Sequence, residues 1–278
     1  MNIRHTPIRI IVFCVNYGSY ESLRTYMESI EVAACRAKEV CQITLCVGDN
    51  TAKNWEGIPE GITPHCTLQS FPYHLNHGYL GCALRMMTEV GWKTVAEASF
   101  CIISNVDLTV SPDFFLTLAS STWPEDAGWL APDIYTQRLD HHDNPFMTRR
   151  PRRHDFLRWQ LLYSIPALYG LLEKLYHIRR AHQPVQTKQK VIYAGHGSLM
   201  VFTGKFLSKH PFLRFPAFMY GEEIFFGELV HEDGLRTYYV PSLHVDNTGR
   251  VSTGKNDFNW LCRQNRKSLS TLKSLYFR

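Results

Sequence analysis

The chain has 278 residues, 45% of them hydrophobic, and a formal net charge of +5. This length and apolar content suit one or two globular domains with a substantial core. The modest charge, together with the lack of a basic repeat interleaved with aromatic residues, excludes a dedicated nucleic-acid-binding protein.

Residues 1–135 alternate between short apolar runs and longer amphipathic stretches. Apolar runs that end in turn residues are typical of strands buried on both faces of a sheet. The resulting β-α-β-β-α-β order predicts an α/β nucleotide-binding half. The predicted strands are 10–15, 42–47, 66–71 and 100–104, and the predicted helices are 21–38 and 79–95.

Residues 136–278 predict three further parts. A strand at 129–134 leads into a basic and apolar helical insert (136–190), with a polar loop to residue 155 and two short helices separated at Pro166. Residues 191–256 form the acceptor or catalytic half, and 257–278 the C-terminal helix. The predicted elements of these last two parts are strands at 191–203 and 236–240 and helices at 223–232 and 258–275.

Polar residues follow the predicted strands at their carboxyl ends, where open α/β sheets bind ligands. Tyr17 is suited to stacking on a base, and Asp49 to accepting a hydrogen bond from a base or ribose. Asp107, directly after the central strand, is suited to a divalent metal that bridges a nucleotide diphosphate. The loop 76–81 leads into a helix N-terminus, which favours anions. The alternative for each is ordinary turn chemistry, or capping of a helix that begins near Pro112.

An acidic pair, Glu222 and Glu223, stands at the start of the helix predicted at 223–232. Helix N-termini favour ionised carboxylates, and a general base must be anionic and within hydrogen-bond reach of the proton it removes. The pair therefore predicts either a catalytic base or a helix cap.

Seven segments, in order along nearly the whole chain, resemble the motifs of family 2 glycosyltransferases of the GT-A fold. The similarity extends to bacterial rhamnosyltransferase-like members that build surface polysaccharides. The segments are Val-Asn-Tyr-Gly-Ser (15–19), Gly-Asp-Asn-Thr-Ala (48–52), Asn-His-Gly-Tyr-Leu-Gly (76–81), Asn-Val-Asp (105–107), Tyr-Ala-Gly-His-Gly-Ser (193–198), Tyr-Gly-Glu-Glu-Ile-Phe (220–225) and Asn-Arg-Lys-Ser (265–268).

The resemblance implies a single GT-A domain over residues 1–278, with a Rossmann-like mixed sheet flanked by helices, a helical insert and a C-terminal helix. It implies an inverting transferase that moves a hexosyl or deoxyhexosyl group from a nucleoside diphosphate sugar to a glycan hydroxyl, in O-antigen or capsule synthesis. The implied donor-binding residues are Val15, Tyr17, Asp49, Asn76, Gly78 and Asn105. The implied acceptor-binding residues are His196, Gly197 and Ser198.

By the same resemblance, Glu223 is the expected base, and Glu222 orients the acceptor or takes the role of base instead. Asp107 and His244 are the expected ligands of Mg²⁺ or Mn²⁺, His244 because it follows the strand after the acidic helix and precedes Ser252-Thr253. Asp246 and Asn247 are alternative oxygen ligands for a hard cation.

The insert has two interpretations. Arg149, Arg150, Arg152 and Arg153 precede a stretch rich in apolar and aromatic residues. This stretch either packs on the core or on a second subunit of a homodimer, or it meets an anionic membrane surface that carries a lipid-linked acceptor. The residues concerned are Phe156, Leu157, Trp159, Leu161, Leu162, Tyr163 and Tyr169.

The expected location is cytoplasmic, with the chain peripheral at the inner face of the plasma membrane. None of the eight cysteines forms a Cys-x-x-Cys pair, which argues against zinc, and Cys14, Cys46 and Cys101 fall in predicted strands, as buried free thiols do in a reducing compartment. The sequence has no signal-peptide run at its start and no stretch of about 18 apolar residues.

Two other function classes are open. A sugar nucleotidyltransferase needs a Gly-rich loop with Lys or Arg after the first strand, and residues 16–19 do not provide one. A non-catalytic binder of sugar nucleotides or glycans is consistent with the relaxed metal motif at 105–107.

Overall fold

The first half of the chain folds in the predicted β-α-β-β-α-β order. The computed structural model describes residues 7–248 and 258–277. Four parallel strands stand in the order β3-β2-β1-β4, and helices connect them. They are β1 (Ile8–Asn16), α1 (Tyr20–Ala37), β2 (Cys41–Asp49), β3 (Thr67–Pro72), α2 (Tyr79–Val90), α3 (Trp92–Ala96) and β4 (Phe100–Asn105).

The second half extends the same sheet with antiparallel as well as parallel pairs. After β4 the strand order is β9-β6-β10-β5, with β7 beside β6 and β8 beside β10, so the described residues form a mixed sheet of ten strands. The elements are β5 (Leu108–Val110), α4 (Phe114–Ser120), β6 (Ala127–Thr136), β7 (His141–His142), α5 (Arg153–Leu162), α6 (Pro166–Ala181), β8 (Lys190–Ile192), β9 (Leu199–Thr203), α7 (Gly204–Leu207), α8 (Glu222–Glu232), β10 (Arg236–Asn247) and α9 (Phe258–Tyr276).

Both faces of the sheet are buried, which explains why its central strands are apolar throughout. In β1, Val12 and Cys14 face a cluster that includes α1 and α4, whereas Phe13 faces a second cluster that includes α2, α8 and α9. The predicted strand thiols Cys14, Cys46 and Cys101 are buried and free. Burial raises the pKa of Cys46 to about 12, so this thiol is protonated at neutral pH.

Four predicted boundaries are wrong. The helix 79–95 is broken at Gly91, whose φ of +96° is not helical. The strand 191–203 is two strands, β8 and β9, separated by residues 193–198. The loop 136–155 contains a short 3₁₀ turn and β7, and α5 begins in it at Arg153. The strand predicted to end at Val240 continues to Asn247, with a register shift around Pro241, which has no N–H to donate.

The helical insert is confirmed as two helices that separate at Pro166, the first residue of α6. This is the position where proline fits a helix best, because the first N–H has no intrahelical partner. None of the helices in residues 7–248 and 258–277 combines the length and apolarity that crossing a membrane requires.

Candidate functional site

The carboxyl ends of β1, β2 and β4 meet at one edge of the sheet. Asn16 lies opposite Asp49, and Val15 lies opposite Asn105. Val15 is buried in the sheet, so its approach to a ligand is through its backbone, whereas the side chain of Tyr17 is 42% exposed at the tip of the following turn. The predicted donor-binding residues of the first strands are therefore brought to one place.

Asp49 is fully buried, and both of its carboxylate oxygens accept hydrogen bonds within the protein. Oδ1 accepts from the Thr51 amide at 3.0 Å and from Asn16 Nδ2 at 3.3 Å, and Oδ2 accepts from the Tyr20 hydroxyl at 2.8 Å. The Gly18 amide in turn donates to Thr51 Oγ1 at 2.7 Å. These bonds hold the loops after β1 and β2 together, and the binding of a base or ribose by Asp49 stays a prediction.

The loop before α2 is packed so closely that only glycine fits at position 78. Gly78 has a φ of +75°, and a Cβ there would lie 2.0 Å from the Phe218 carbonyl oxygen. Its amide donates to Asn76 Oδ1 at 2.8 Å, and its carbonyl accepts from Asn50 Nδ2 at 3.0 Å. The loop is thereby fixed against the segment that leads into α8.

Tyr79, the first residue of α2, links that helix to the segment before β9. Its hydroxyl donates to the Gly197 carbonyl at 2.9 Å. Burial, and then the nearby charges of Glu222, Glu223 and Asp107, raise the pKa of Tyr79 well above its usual value. The three carboxyl groups are therefore near enough to Tyr79 to act on its hydroxyl electrostatically. The sequence analysis did not assign Tyr79 a role, although it lies within the motif 76–81.

The acidic pair begins α8, as predicted, after Gly221 with a φ of +89°. Glu222 is 7% exposed and accepts a hydrogen bond from the Tyr220 amide at 3.1 Å. Burial, together with the charge of Glu223, raises the pKa of Glu222 to about 8. At Glu222, desolvation therefore outweighs the helix dipole, which favours the ionised form. The role of each acid stays a prediction.

This pKa shift has a consequence for stability. An acid whose pKa rises on folding binds its proton more tightly in the folded state. The stabilisation of the folded state by this proton is therefore lost as pH rises from 4.5 towards 8. We expect the free energy of unfolding of the wild type to fall relative to Glu222→Gln as pH rises through that window, by up to about 1 kcal/mol per pH unit. Urea unfolding of both proteins at pH 5, 6, 7 and 8 measures this difference. Parallel pH curves for the two proteins contradict the assignment.

The predicted acceptor segment lies between Asn105 and Glu223. The Asn105 amide donates to the Ser198 carbonyl at 2.8 Å, and the Gly197 amide donates to Glu223 Oε1 at 3.2 Å. A Cβ at Gly197 would lie 2.8 Å from that same oxygen, so glycine lets Glu223 approach. His196 Nδ1 is 2.9 Å from Ser198 Oγ.

Asn144 holds this segment from the insert side, since its Oδ1 accepts from the His196 amide at 2.9 Å. The sequence analysis missed Asn144. Its partner is 52 residues away in the chain, and no motif includes it.

Asp107 is half-buried just before β5, and its carbonyl accepts from the Thr248 amide at 3.1 Å. Burial raises the pKa of its carboxyl, and the charge of His196 offsets only part of that rise. A buried carboxylate whose charge is not fully balanced by the protein is a suitable ligand for a cation. Residues 7–248 and 258–277 contain no group of three His, Cys, Asp or Glu placed to hold a metal ion. One carboxylate with substrate phosphates is nevertheless a usual arrangement for Mg²⁺.

His244 lies within β10, in contact with groups other than Asp107. Its Nδ1 is hydrogen-bonded at 2.9 Å to Asp133, which also bonds His142 Nδ1 at 2.7 Å, and the bond to Asp133 raises the pKa of His244. The carbonyl of Asp107 accepts from the Thr248 amide. Thr248 comes four residues after His244, which is about 13 Å further along the direction of β10. A metal role for His244 stays a prediction.

The two alternative metal ligands lie on the same strand. Asp246 Oδ1 is 3.6 Å from His244 Nε2, and Asn247 pairs with Leu108 of β5. The Ser252-Thr253 pair lies outside the described residues.

No protein-family model and no curated protein sequence matches the chain. Among solved structures, GalNAc-T7 with UDP, GalNAc and Mn²⁺ aligns with a TM-score of 0.58 and 12% identity, over 97% of this chain and 49% of that one. TarS of S. aureus aligns with a TM-score of 0.53 and 11% identity, over 88% of this chain and 37% of that one. This chain therefore spans half or less of the length of either protein.

A mannosyltransferase of Pyrobaculum calidifontis, PcManGT in complex with GDP-Man and Mn²⁺, aligns with a TM-score of 0.49 and 11% identity, over 90% of this chain and 60% of that one. The similarities to GalNAc-T7 and TarS, together with the ten-stranded mixed sheet and its flanking helices, show that the chain has the GT-A type α/β fold that its sequence predicts.

Proposed function

We propose that the chain is an inverting glycosyltransferase that moves a sugar from a nucleoside diphosphate sugar to a hydroxyl of a glycan acceptor. The observation that carries the proposal is that residues 197 and 198 are hydrogen-bonded to Tyr79, Asn105 and Glu223, next to Asp107 at the carboxyl edge of the sheet. Ligands of open α/β sheets bind at this edge. The fold is shared with GalNAc-T7, whose structure was solved with UDP, GalNAc and Mn²⁺.

The donor occupies the side formed by β1, β2 and the loop 76–81. Tyr17 is exposed there and stacks on the base, and the amides at the start of α2 face the phosphates. Mg²⁺ or Mn²⁺ held by Asp107 supplies positive charge to the leaving diphosphate when it is bound. Asn105 pairs with Val15 of β1, and its amide donates to Ser198. It therefore lies between the proposed donor side and the acceptor segment.

Glu223 is the base that removes the proton from the acceptor hydroxyl. It is half-buried and touches the Gly197 amide, so it faces the segment assigned to the acceptor, whereas Glu222 is buried and has a pKa of about 8. The deprotonated oxygen then attacks the anomeric carbon from the face opposite the diphosphate, which inverts the configuration. The acceptor we propose is a glycan of a bacterial surface polysaccharide, O-antigen or capsule.

Asp107→Ala tests the donor and metal site. The wild type should gain thermal stability with at least one sugar nucleotide from a UDP, dTDP and GDP panel in the presence of Mn²⁺, because a ligand of the native state stabilises by RT ln(1 + [L]/Kd). The variant should lose the Mn²⁺-dependent part of that shift, with an affinity at least about tenfold lower.

The matched control is Asp113→Ala. Asp113 is an exposed aspartate that pairs with Arg36 outside the site, so this variant should keep the full shift. If Asp107→Ala binds sugar nucleotide with unchanged dependence on Mn²⁺, Asp107 is not the metal ligand.

A further inference from the structure

Helix α6 has no buried residue, although it is rich in leucine. Five large aliphatic side chains, each at least 42% exposed, lie along it, the last four at offsets of three, four, seven and ten residues from the first. This spacing places them on one side of the helix. We call this set the α6 apolar face: Leu168, Leu171, Leu172, Leu175 and Ile178.

The opposite side of α6 is held by the rest of the protein. Tyr169 stacks on Phe258 of α9, and His177 is hydrogen-bonded to His141 at 2.9 Å. Arg180 donates to the carbonyl oxygens of His142, Asp143 and Pro145. The helix is therefore fixed in orientation, and the α6 apolar face is presented outward.

The apolar surface continues to the end of α5. Leu161 is 66% exposed and Ile165 is 46% exposed, just before α6 begins. Beside Leu161, a groove between α5 and α9 is lined by Arg263, Arg266 and Lys267, with no acidic residue among its lining. An exposed aliphatic surface lies next to a groove whose charged residues are all cationic. This combination suits a ligand that has both an apolar body and an anionic head.

Positive charge is concentrated in the two segments of the chain that include this surface. Residues 149–190 contain ten Lys and Arg against two acidic residues, and α9 contains four against none. The whole chain carries only +5, so the remainder has an excess of negative charge. The asymmetry gives this side a potential that attracts anions and repels a second copy of itself.

We propose that the α6 apolar face and the cationic groove between α5 and α9 dock the protein onto an anionic phospholipid leaflet. The aliphatic side chains enter the interfacial region, while the arginines and lysines meet the head groups. A symmetric dimer through this surface would bring two strongly positive sides together. Aliphatic leucines also do not suit nucleic acid, which is bound by basic and aromatic side chains.

Two of the four arginines in the cluster that the sequence suggested are engaged within the protein. Arg150 donates to Glu228, which is fully buried, and Arg149 donates to Asp155. Phe156 is also fully buried. Replacing Arg149 and Arg150 would therefore perturb internal ion pairs, and they are unsuitable for a test of membrane binding.

The test is co-sedimentation of the full chain with vesicles. Wild type should pellet with equimolar phosphatidylglycerol and phosphatidylcholine, and the bound fraction should decrease as salt rises and the Debye length falls below about 10 Å. With phosphatidylcholine alone, binding should be at least about tenfold weaker. Leu171→Glu/Leu175→Glu should reduce the partition coefficient at least about tenfold, because both side chains lose their apolar burial. Arg266→Glu/Lys267→Glu should reduce it at least about twentyfold.

The matched control is Val32→Glu/Val40→Glu, which makes the same change at aliphatic residues of 50% and 38% exposure in and after α1. It should bind vesicles as the wild type does. Equal binding by Leu171→Glu/Leu175→Glu overturns the proposal, as does a wild type that binds no vesicles. Light scattering of the same samples checks the alternative occupant: a wild-type dimer that becomes monomeric in Leu171→Glu/Leu175→Glu, without vesicle binding, identifies the surface as a subunit interface.

Discussion

Glu223→Gln should lower turnover by about 10²-fold or more, the scale expected when a positioned general base is lost. Glutamine keeps the size of the side chain, and its Oε1 can still accept a hydrogen bond from the Gly197 backbone N–H. It cannot take the proton of the acceptor hydroxyl. Sugar-nucleotide affinity should barely change, since the proposed role of Glu223 is toward the acceptor, and it contacts the Gly197 amide. Steady-state release of nucleoside diphosphate, beside donor titration by thermal shift, separates the two effects.

Two further variants identify which residue of α8 is the base. Glu232→Gln, an exposed acid at the far end of the same helix, should have wild-type turnover. Glu222→Gln should lose less than Glu223→Gln near neutral pH, because a carboxyl with a pKa of about 8 is already mostly protonated there. If Glu222→Gln is the inactive variant and Glu223→Gln keeps its turnover, the base is the first acid of the pair.

Arg150→Ala should destabilise the fold by about 3 kcal/mol, because it leaves a buried carboxylate without its cation. Arg150 Nε donates to Glu228 Oε1 at 2.8 Å, and the side chain of Glu228 is fully buried in α8. Tyr193 also donates to Glu228, at 2.7 Å, but a neutral hydroxyl does not replace the lost charge. The midpoint of urea unfolding measures the effect.

A double variant distinguishes the loss of the Arg150–Glu228 ion pair from the loss of one partner alone. Arg150→Met/Glu228→Met removes both charges and should recover much of the loss, since replacing a buried ion pair by apolar residues is often close to neutral. Arg153→Ala, an exposed arginine at the start of α5, should change stability by less than about 0.5 kcal/mol. Equal stability of Arg150→Ala and wild type means that Glu228 is neutral or solvated in the folded protein.

The parallel strands could be predicted because their environment imposes a simple pattern. β1, β2 and β4 are mostly buried, so each contains a run of apolar residues that ends where polar residues meet the edge of the sheet. The same pattern placed Tyr17, Asp49 and Asp107 at that edge. Local sequence was sufficient for these elements because no distant partner changes their boundaries.

β10 could not be predicted in full, because a proline inside it suggests an end. Pro241 removes one N–H, yet the strand continues because β6 pairs with it before and after a register shift, and β5 pairs with its last residues. Tertiary pairing overrides the local signal there. It also places His244 opposite Asp133, a partner 111 residues away that no motif includes.

The charges of the candidate site were the least predictable part. The sequence does not distinguish the protonation of Glu222 from that of Glu223, because both lie in the first turn of the same helix and have the same neighbours in the chain. Burial distinguishes them, and burial depends on the packing of α8 and of Ser268 and Leu272 of α9 against Gly221. The arginine cluster shows the same limit, because the partner of Arg150 is 78 residues away.

The most direct test of the proposed transferase is donor hydrolysis with and without metal, measured across the UDP, dTDP and GDP sugars. We expect the wild type to release nucleoside diphosphate from one of them in a reaction that needs Mn²⁺ or Mg²⁺ and an intact Asp107. Binding of a sugar nucleotide without any release of nucleoside diphosphate, even with acceptor glycans present, would identify a non-catalytic binder. Release of sugar phosphate and a nucleoside triphosphate, when pyrophosphate is added, would identify a nucleotidyltransferase, and either result contradicts the proposal.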